Sequence, residues 1–251
     1  MFLAFAAMRL VARRSGVAQR AVSAAAAAGD GSGGEGLQLN VNGEPAALTV
    51  IWCHGLGDSA YGWASAFVES GCITLPGPSR VVLPTAPSSP VTINGGMVMP
   101  SWYDIRGLDR DSSCDEEGIK RSVERVVALV ARESTPVVLG GFSQGGAVAL
   151  SAALRHALPN LVGVVAASTY LPLAGTYAPP LPNPEVPFLV CHGDADPVVD
   201  PDYGKATHDK LVSDLGVTAT FRMFPGLAHS ASLEEFRVIS DFIAACCPST
   251  K

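Results

Sequence analysis

Residues 136–157 read PVVLGGFSQGGAVALSAALRHA. A short apolar run over 136–141 gives way, with almost no spacer, to a helical pattern over 144–157. The junction Gly141-Phe142-Ser143-Gln144-Gly145 has the form G-x-S-x-G. A strand that turns directly into a helix needs a sharp bend, and glycines on either side let the two elements pass closely. Such a bend strains the serine backbone and lifts its hydroxyl to the C-terminal end of a sheet. It also aims a helix N-terminus, with free N–H groups and partial positive charge, at the same place. A nucleophile whose attack creates a negative oxygen needs those features. Without the strand and the helix around it, the same pentapeptide reads as a glycine-rich packing turn.

To either side the chain alternates short β-like runs with amphipathic helices. Residues 47–53 (ALTVIWC) read as a buried strand, and 80–83 as a short one ended by Pro84. Over 115–133, Ile119, Val123, Val126, Val127 and Val130 fall at i, i+4, i+7, i+8 and i+11, the spacing of one helix face. Strands are expected over 161–167, 187–191 and 218–224, and helices over 203–215 and 231–247. Strands separated by helices of this length imply a mostly parallel central sheet with helices on both faces, an α/β fold in a single domain. Segment 84–114 carries Pro84, Pro87, Pro90, Gly95, Gly96 and Pro100 and shows no clear element. A long loop of this kind is expected to wall or cover a site.

The 251 residues are 48% hydrophobic and 16% charged, enough to bury a large core. Charge is unevenly placed. Of the 17 Lys and Arg residues, four (Arg9, Arg13, Arg14 and Arg20) precede the first acid, Asp30. The other 13 stand against all 23 acids, a net of −10, and an acidic body without a basic stripe argues against nucleic-acid binding. The Ala- and Arg-rich stretch 1–36 reads as a disordered or targeting leader, 37–247 as the catalytic domain and 248–251 as a tail. An apolar run that comes before the positive charge fits a mitochondrial or plastid transit peptide better than a secretory signal. With no address in the leader, the expected location is the cytoplasm. The charge-free run 137–154 is interrupted by Gly140, Gly141, Gly145 and Gly146, so no transmembrane segment is expected. None of the six cysteines forms a C-x-x-C pair, and no metal or other cofactor is expected. Cys53 and Cys191, in strand-like runs, read as buried free thiols.

A nucleophilic serine in this setting takes its partners in the order acid, then histidine. His208 falls within the helix at 203–215, among charged neighbours. His229 lies in FPGLAHS, between a strand and the last helix, where a base can reach back over the sheet. The acid comes from His192-Gly193-Asp194-Ala195-Asp196-Pro197, after strand 187–191. Spacing alone leaves Asp194 and Asp196 open, with Asp194 read as a turn cap. One oxyanion donor is expected at the N–H of Gln144, and the other in the glycine-rich loop His54-Gly55-Leu56-Gly57-Asp58. His54 and His192 are expected to hydrogen-bond loops around the site.

Several motifs occur together: HGLGD at 54–58, GWA at 62–64, MPSWYD at 99–104, GGFSQGG at 140–146, LPL at 171–173, HGDADPVV at 192–199 and G-x-x-H-S at 226–230. In this order the chain resembles the acyl-protein thioesterase / lysophospholipase (carboxylesterase) family of α/β-hydrolases. The resemblance implies the α/β-hydrolase fold and a Ser143–Asp196–His229 triad, with Asp196 as the acid. It also implies Leu56 as the second oxyanion donor and an acyl channel near Ile93, Trp102, Tyr170, Leu171 and Val198. The implied substrates are S-acylated proteins or acyl-ester lipids, with at most transient contact with a membrane surface. The implied oligomeric state is a monomer or a weak homodimer. The rival readings are a carboxylesterase or lysophospholipase of small or lipid esters and, more remotely, a non-catalytic ligand receptor on the same fold. Where the family typically has W-L-P-L, this chain has Tyr170-Leu171-Pro172-Leu173.

Overall fold

Strands apolar on both faces can be stable only between two layers of helices. The computed structural model describes residues 22–27, 36–69, 72–107 and 113–247. Its strands are β1 (Val22–Ala27), β2 (Gly36–Val41), β3 (Leu48–Cys53), β4 (Ser79–Pro84), β5 (Ser88–Val91), β6 (Met97–Pro100), β7 (Val137–Phe142), β8 (Leu161–Ala167), β9 (Phe188–Gly193) and β10 (Ala219–Phe224). The helices are α1 (Ala60–Val68), α2 (Glu116–Arg132), α3 (Gln144–Arg155), α4 (Pro201–Asp209) and α5 (Leu233–Cys246). Eight strands form one sheet in the order β1-β2-β4-β3-β7-β8-β9-β10. From β4 to β10 every neighbouring pair is parallel, and β2 runs against β1 and β4. Helices α2 and α3 pack one face around Val123, Val148 and Leu150, and α1 and α5 pack the other around Trp63, Phe67 and Phe236.

Local signals explain most boundaries. The Asp115 carboxylate caps α2 by accepting the N–H of Gly118 at 3.1 Å, Glu116 and Glu117 follow in the first turn, and Arg132 closes the last. Each charge has the sign the helix dipole favours. Ile119, Val123, Val126 and Val130 are buried, as the spacing predicts, while Val127 packs only at the rim. Helix α4 starts at Pro201 behind an Asp200 cap and ends at Asp209 in a π-helical turn over Lys210–Asp214, where the sequence suggested one helix over 203–215.

Three further elements depart from the sequence expectation. Val22–Ala27, within the expected leader, pairs antiparallel with β2, Val22 opposite Val41 and Ala27 opposite Gly36. Strand pairing uses backbone groups, so an alanine-rich composition does not forbid it. The rest of the expected leader, 1–21 and 28–35, and the expected tail 248–251 lie outside the described residues. Within segment 84–114 the described residues include a hairpin, β5 and β6, turned by a 3-10 helix at Thr92–Asn94 and by Gly95 and Gly96, both at positive φ. A two-stranded hairpin leaves each strand an unpaired edge, which is where Pro90 and Pro100 are tolerated. Helix α1 is apolar almost all round and so lacks the stripe that would announce it. Among the described residues, no helix is long and apolar enough to cross a membrane.

The start of α3 lies unusually close to the sheet. A Cβ at Gly145 would sit 2.2 Å from the carbonyl oxygen of Cys53, and one at Gly141 would sit 2.5 Å from the carbonyl carbon of Gly145. These are backbone atoms and cannot swing aside. Gly145→Ala is expected to destabilise the fold by at least about 3 kcal/mol, read from urea unfolding midpoints.

Glu235, in the first turn of α5, is fully buried, and neither carboxyl oxygen has a hydrogen-bond partner among the described residues. Burial pushes its carboxyl up from 4.5 to about 8. Between those values the native chain holds a proton that the unfolded chain has lost, so stability falls as pH rises and levels off above the folded value. Glu235→Gln is therefore expected to gain stability relative to the parent between pH 5 and pH 9, on the order of a few kcal/mol. Urea midpoints of both proteins at the two pH values check this.

Candidate active site

Ser143 occupies the bend between β7 and α3 at φ 53 and ψ −121, a left-handed backbone that costs a non-glycine residue on the order of 1–3 kcal/mol. Its surroundings hold it there. The Ser143 N–H donates to the carbonyl of Ala167 at 2.8 Å, at the end of β8. The Ser143 carbonyl accepts the Thr169 hydroxyl at 2.6 Å and the N–H of Ala147 at 3.1 Å. The side chain is thereby fixed at the C-terminal edge of the sheet.

His229 arrives from the turn after β10. Its Nε2 lies 3.0 Å from Ser143 Oγ, and its Nδ1 lies 2.7 Å from Oδ2 of Asp196, which follows β9. An ionised carboxylate only accepts, so Nδ1 carries the hydrogen and Nε2 is free to take one from the serine. Burial raises the Asp196 pKa. Hydrogen bonds from His192, His229 and the Val199 N–H overcome it and hold the carboxyl well below the usual carboxylate range. Asp196 Oδ1 accepts the N–H groups of Val198 and Val199 at 2.8 and 3.0 Å. Thus Ser143, His229 and Asp196 form one continuous hydrogen-bonded chain.

Of two neighbours of this chain, Asp194 acts differently from its sequence reading, while His192 bonds a loop beside the site as expected. Asp194 does not cap its own turn. Its Oδ1 accepts the N–H of Gly226 at 2.6 Å and ties down the segment that carries His229. His192, at the end of β9, is fully buried, with Nε2 2.9 Å from the Val199 carbonyl and 3.4 Å from Asp196 Oδ2. Gly204 makes room for this ring, since a Cβ there would sit 2.3 Å from His192 Nδ1. His208, on α4, stands 3.3 Å from Asp209 and makes no contact with the other three.

The two expected oxyanion donors are both uncommitted. Gln144 is the first residue of α3, so its N–H has no helical acceptor. The N–H of Leu56 has no acceptor among the described residues. The loop that presents Leu56 is pinned from several sides. His54 donates from Nδ1 to the Gly55 carbonyl at 2.6 Å and accepts the Ala86 N–H at Nε2, 2.9 Å away. Burial lowers its pKa from 6.5 to about 4, so it stays neutral and keeps both bonds at pH 7. Trp102 donates its indole N–H to the His54 carbonyl at 2.8 Å, and Gly57 donates to Pro100 at 2.7 Å. The Gln144 side chain, unnoticed in the sequence, accepts the Trp102 N–H at 2.8 Å and donates to the Tyr103 carbonyl at 2.6 Å. It joins the nucleophile turn to the segment after β6.

A cavity of about 470 Å³ lies alongside, lined by Tyr103, Tyr170, Leu171, Leu173, Val198 and their neighbours. Its lining residues Val198 and Val199 donate their backbone N–H groups to Asp196, which links the cavity wall to the triad. Of the five residues expected to line an acyl channel, Tyr170, Leu171 and Val198 line this cavity. Trp102 and Ile93 do not line this cavity. The Trp102 ring is buried against His54, committed to packing and to the His54 carbonyl. Ile93 sits in the hairpin turn with its N–H on the Ile105 carbonyl.

The profile of the phospholipase/carboxylesterase family matches residues 37–247. Acyl-protein thioesterase 1 of Neurospora crassa is 40% identical over 215 residues, covering 80% of this chain and 87% of that protein. Acyl-protein thioesterase 1 homolog 1 of Dictyostelium discoideum is 37% identical over 80% of this chain and 92% of that protein. The crystal structure of Zea mays acyl-protein thioesterase 2 superposes with a TM-score of 0.74 at 31% identity, over 82% of this chain and 96% of that one. Given this geometry and these likenesses, the chain belongs to the phospholipase/carboxylesterase family of α/β-hydrolases.

Proposed function

We propose that this chain is a serine hydrolase that removes long-chain acyl groups from S-acylated proteins, with Ser143, His229 and Asp196 as its triad. The observation that carries this reading is the hydrogen-bonded chain of 3.0 and 2.7 Å beside a largely apolar-walled cavity. Ser143 Oγ attacks the thioester carbon while His229 Nε2 takes its proton, and Asp196 stabilises the resulting imidazolium. The N–H groups of Leu56 and Gln144 receive the negative oxygen, and losing one such donor typically costs about 3 kcal/mol. His229 returns the proton to the departing cysteine sulfur. Water, deprotonated by His229, then attacks the acyl-serine and frees the fatty acid. The names of the thioesterase relatives support the substrate class. The acid-free, Arg-bearing stretch before Asp30 supports an organelle address over the cytoplasm.

A fluorophosphonate probe is expected to label the folded protein at Ser143. Ser143→Ala should abolish both labelling and turnover, a loss of at least about 10⁴-fold, with the melting temperature unchanged. Asp196→Asn should keep the fold and lose about 10²- to 10⁴-fold in kcat. A palmitoyl-cysteine peptide and p-nitrophenyl esters of increasing chain length should both be cleaved. Activity confined to C2–C4 esters would instead assign the chain to small esters, and a protein that resists the probe would be a receptor.

A further inference from the structure

Tyr103 follows β6 and Tyr170 follows β8, yet their hydroxyl oxygens meet 2.9 Å apart in the wall of the cavity. Two phenols in contact use only one of their two hydrogens. One hydroxyl donates, while the other accepts and still owns a hydrogen. Among the described residues, that second hydrogen has no acceptor. Burial raises the pKa of both phenols, so at neutral pH neither gives up its hydrogen. Leu171, Leu173 and Val198 share the wall with the pair, beside polar side chains that include Asp104, Arg106 and Lys210. Water can satisfy the spare hydrogen while the cavity is open. A plain alkyl chain that displaces this water leaves it unmet, and an unmet buried donor is costly. A site built to hydrogen-bond therefore discriminates against a ligand that lacks the matching atom.

We propose that the Tyr103–Tyr170 hydroxyl pair makes the acyl cavity selective for acyl groups carrying an acceptor oxygen, a ketone or an ether, over plain alkyl chains of the same length. This rests on the reading of the cavity as the acyl site of a serine hydrolase. The experiment uses the full chain and p-nitrophenyl octanoate beside oxo-octanoates with the ketone stepped from C4 to C7. In the parent protein at least one oxo ester is expected to exceed octanoate in kcat/KM by roughly tenfold. Tyr103→Phe and Tyr170→Phe each leave one donor, so each should keep the preference. The double variant leaves none, and its ratio should fall to about one. If the parent cleaves octanoate at least as fast as every oxo ester, the selectivity is overturned while the hydrolase reading stands. A preference that survives in a folded double variant would remove the hydroxyl pair as its source. If the parent cleaves none of the esters, acetate included, and resists the fluorophosphonate probe, the hydrolase reading itself fails. Should the double variant not fold, the parent series and the two single variants decide the matter.

Discussion

Where α3 begins, backbone rests on backbone: the chain at Gly145 lies against the carbonyls of Cys53 and His54, and Gly146 lies against Gly141 and Thr169. No residue with a Cβ fits this contact. The rest of the site follows from it. Because helix and strand touch there, the turn between them has no slack, and Ser143 must take a left-handed backbone. The same closeness sets the start of α3 against the beginning of the loop after β3, the two segments from which oxyanion donors are expected. The strain at Ser143 is sustained by contacts on three sides, from Ala167, Thr169 and Ala147.

The second organising group is a charge. Asp196 is buried, and a buried carboxylate survives only when its oxygens are fully engaged. Here two backbone N–H groups meet one oxygen, and two imidazoles meet the other. Its neighbour Asp194 binds Gly226, three residues before His229. Two carboxylates of one loop thus set both the orientation of the base and the path of the backbone that brings it. In this segment Asp196 alone of the acids turns inward, while Asp194 and Asp200 stay at the surface.

Features with a period or a sharp local signal were readable in the sequence. Helix α2 carries an unbroken stripe, β8 is a continuous apolar run bounded as expected, and the glycines around Ser143 admit few other conformations. Features whose signal is spread over distant residues were not readable. Helix α1 is apolar all round, and its burial depends on β2 and α5. The hairpin β5–β6 carries the prolines that usually exclude strands. The family resemblance implied a channel near Trp102, but its indole N–H is committed to the His54 carbonyl, a partner 48 positions away. The side-chain amide of Gln144 is invisible as a functional group until the fold supplies its partners, whereas His192 bonds the loop that its position suggests.

The cavity and the reacting groups are not separate modules. Tyr103 offers its carbonyl to the side chain of Gln144, the residue that follows Ser143. Val198 and Val199 line the cavity and also hold the carboxylate that orients His229. Thr169, adjoining Tyr170, holds the carbonyl of the nucleophile. An acyl chain that fits badly must therefore push on the residues that set the geometry of attack, where small misplacements cost rate steeply. Discrimination among acyl groups in such a site falls on kcat as well as on KM, because the energy of a good fit is expressed in the alignment of serine, histidine and donors. A cavity joined to the triad only through flexible loops would sort substrates by affinity alone, whereas here backbone hydrogen bonds from Val198 and Val199 tie the wall to Asp196.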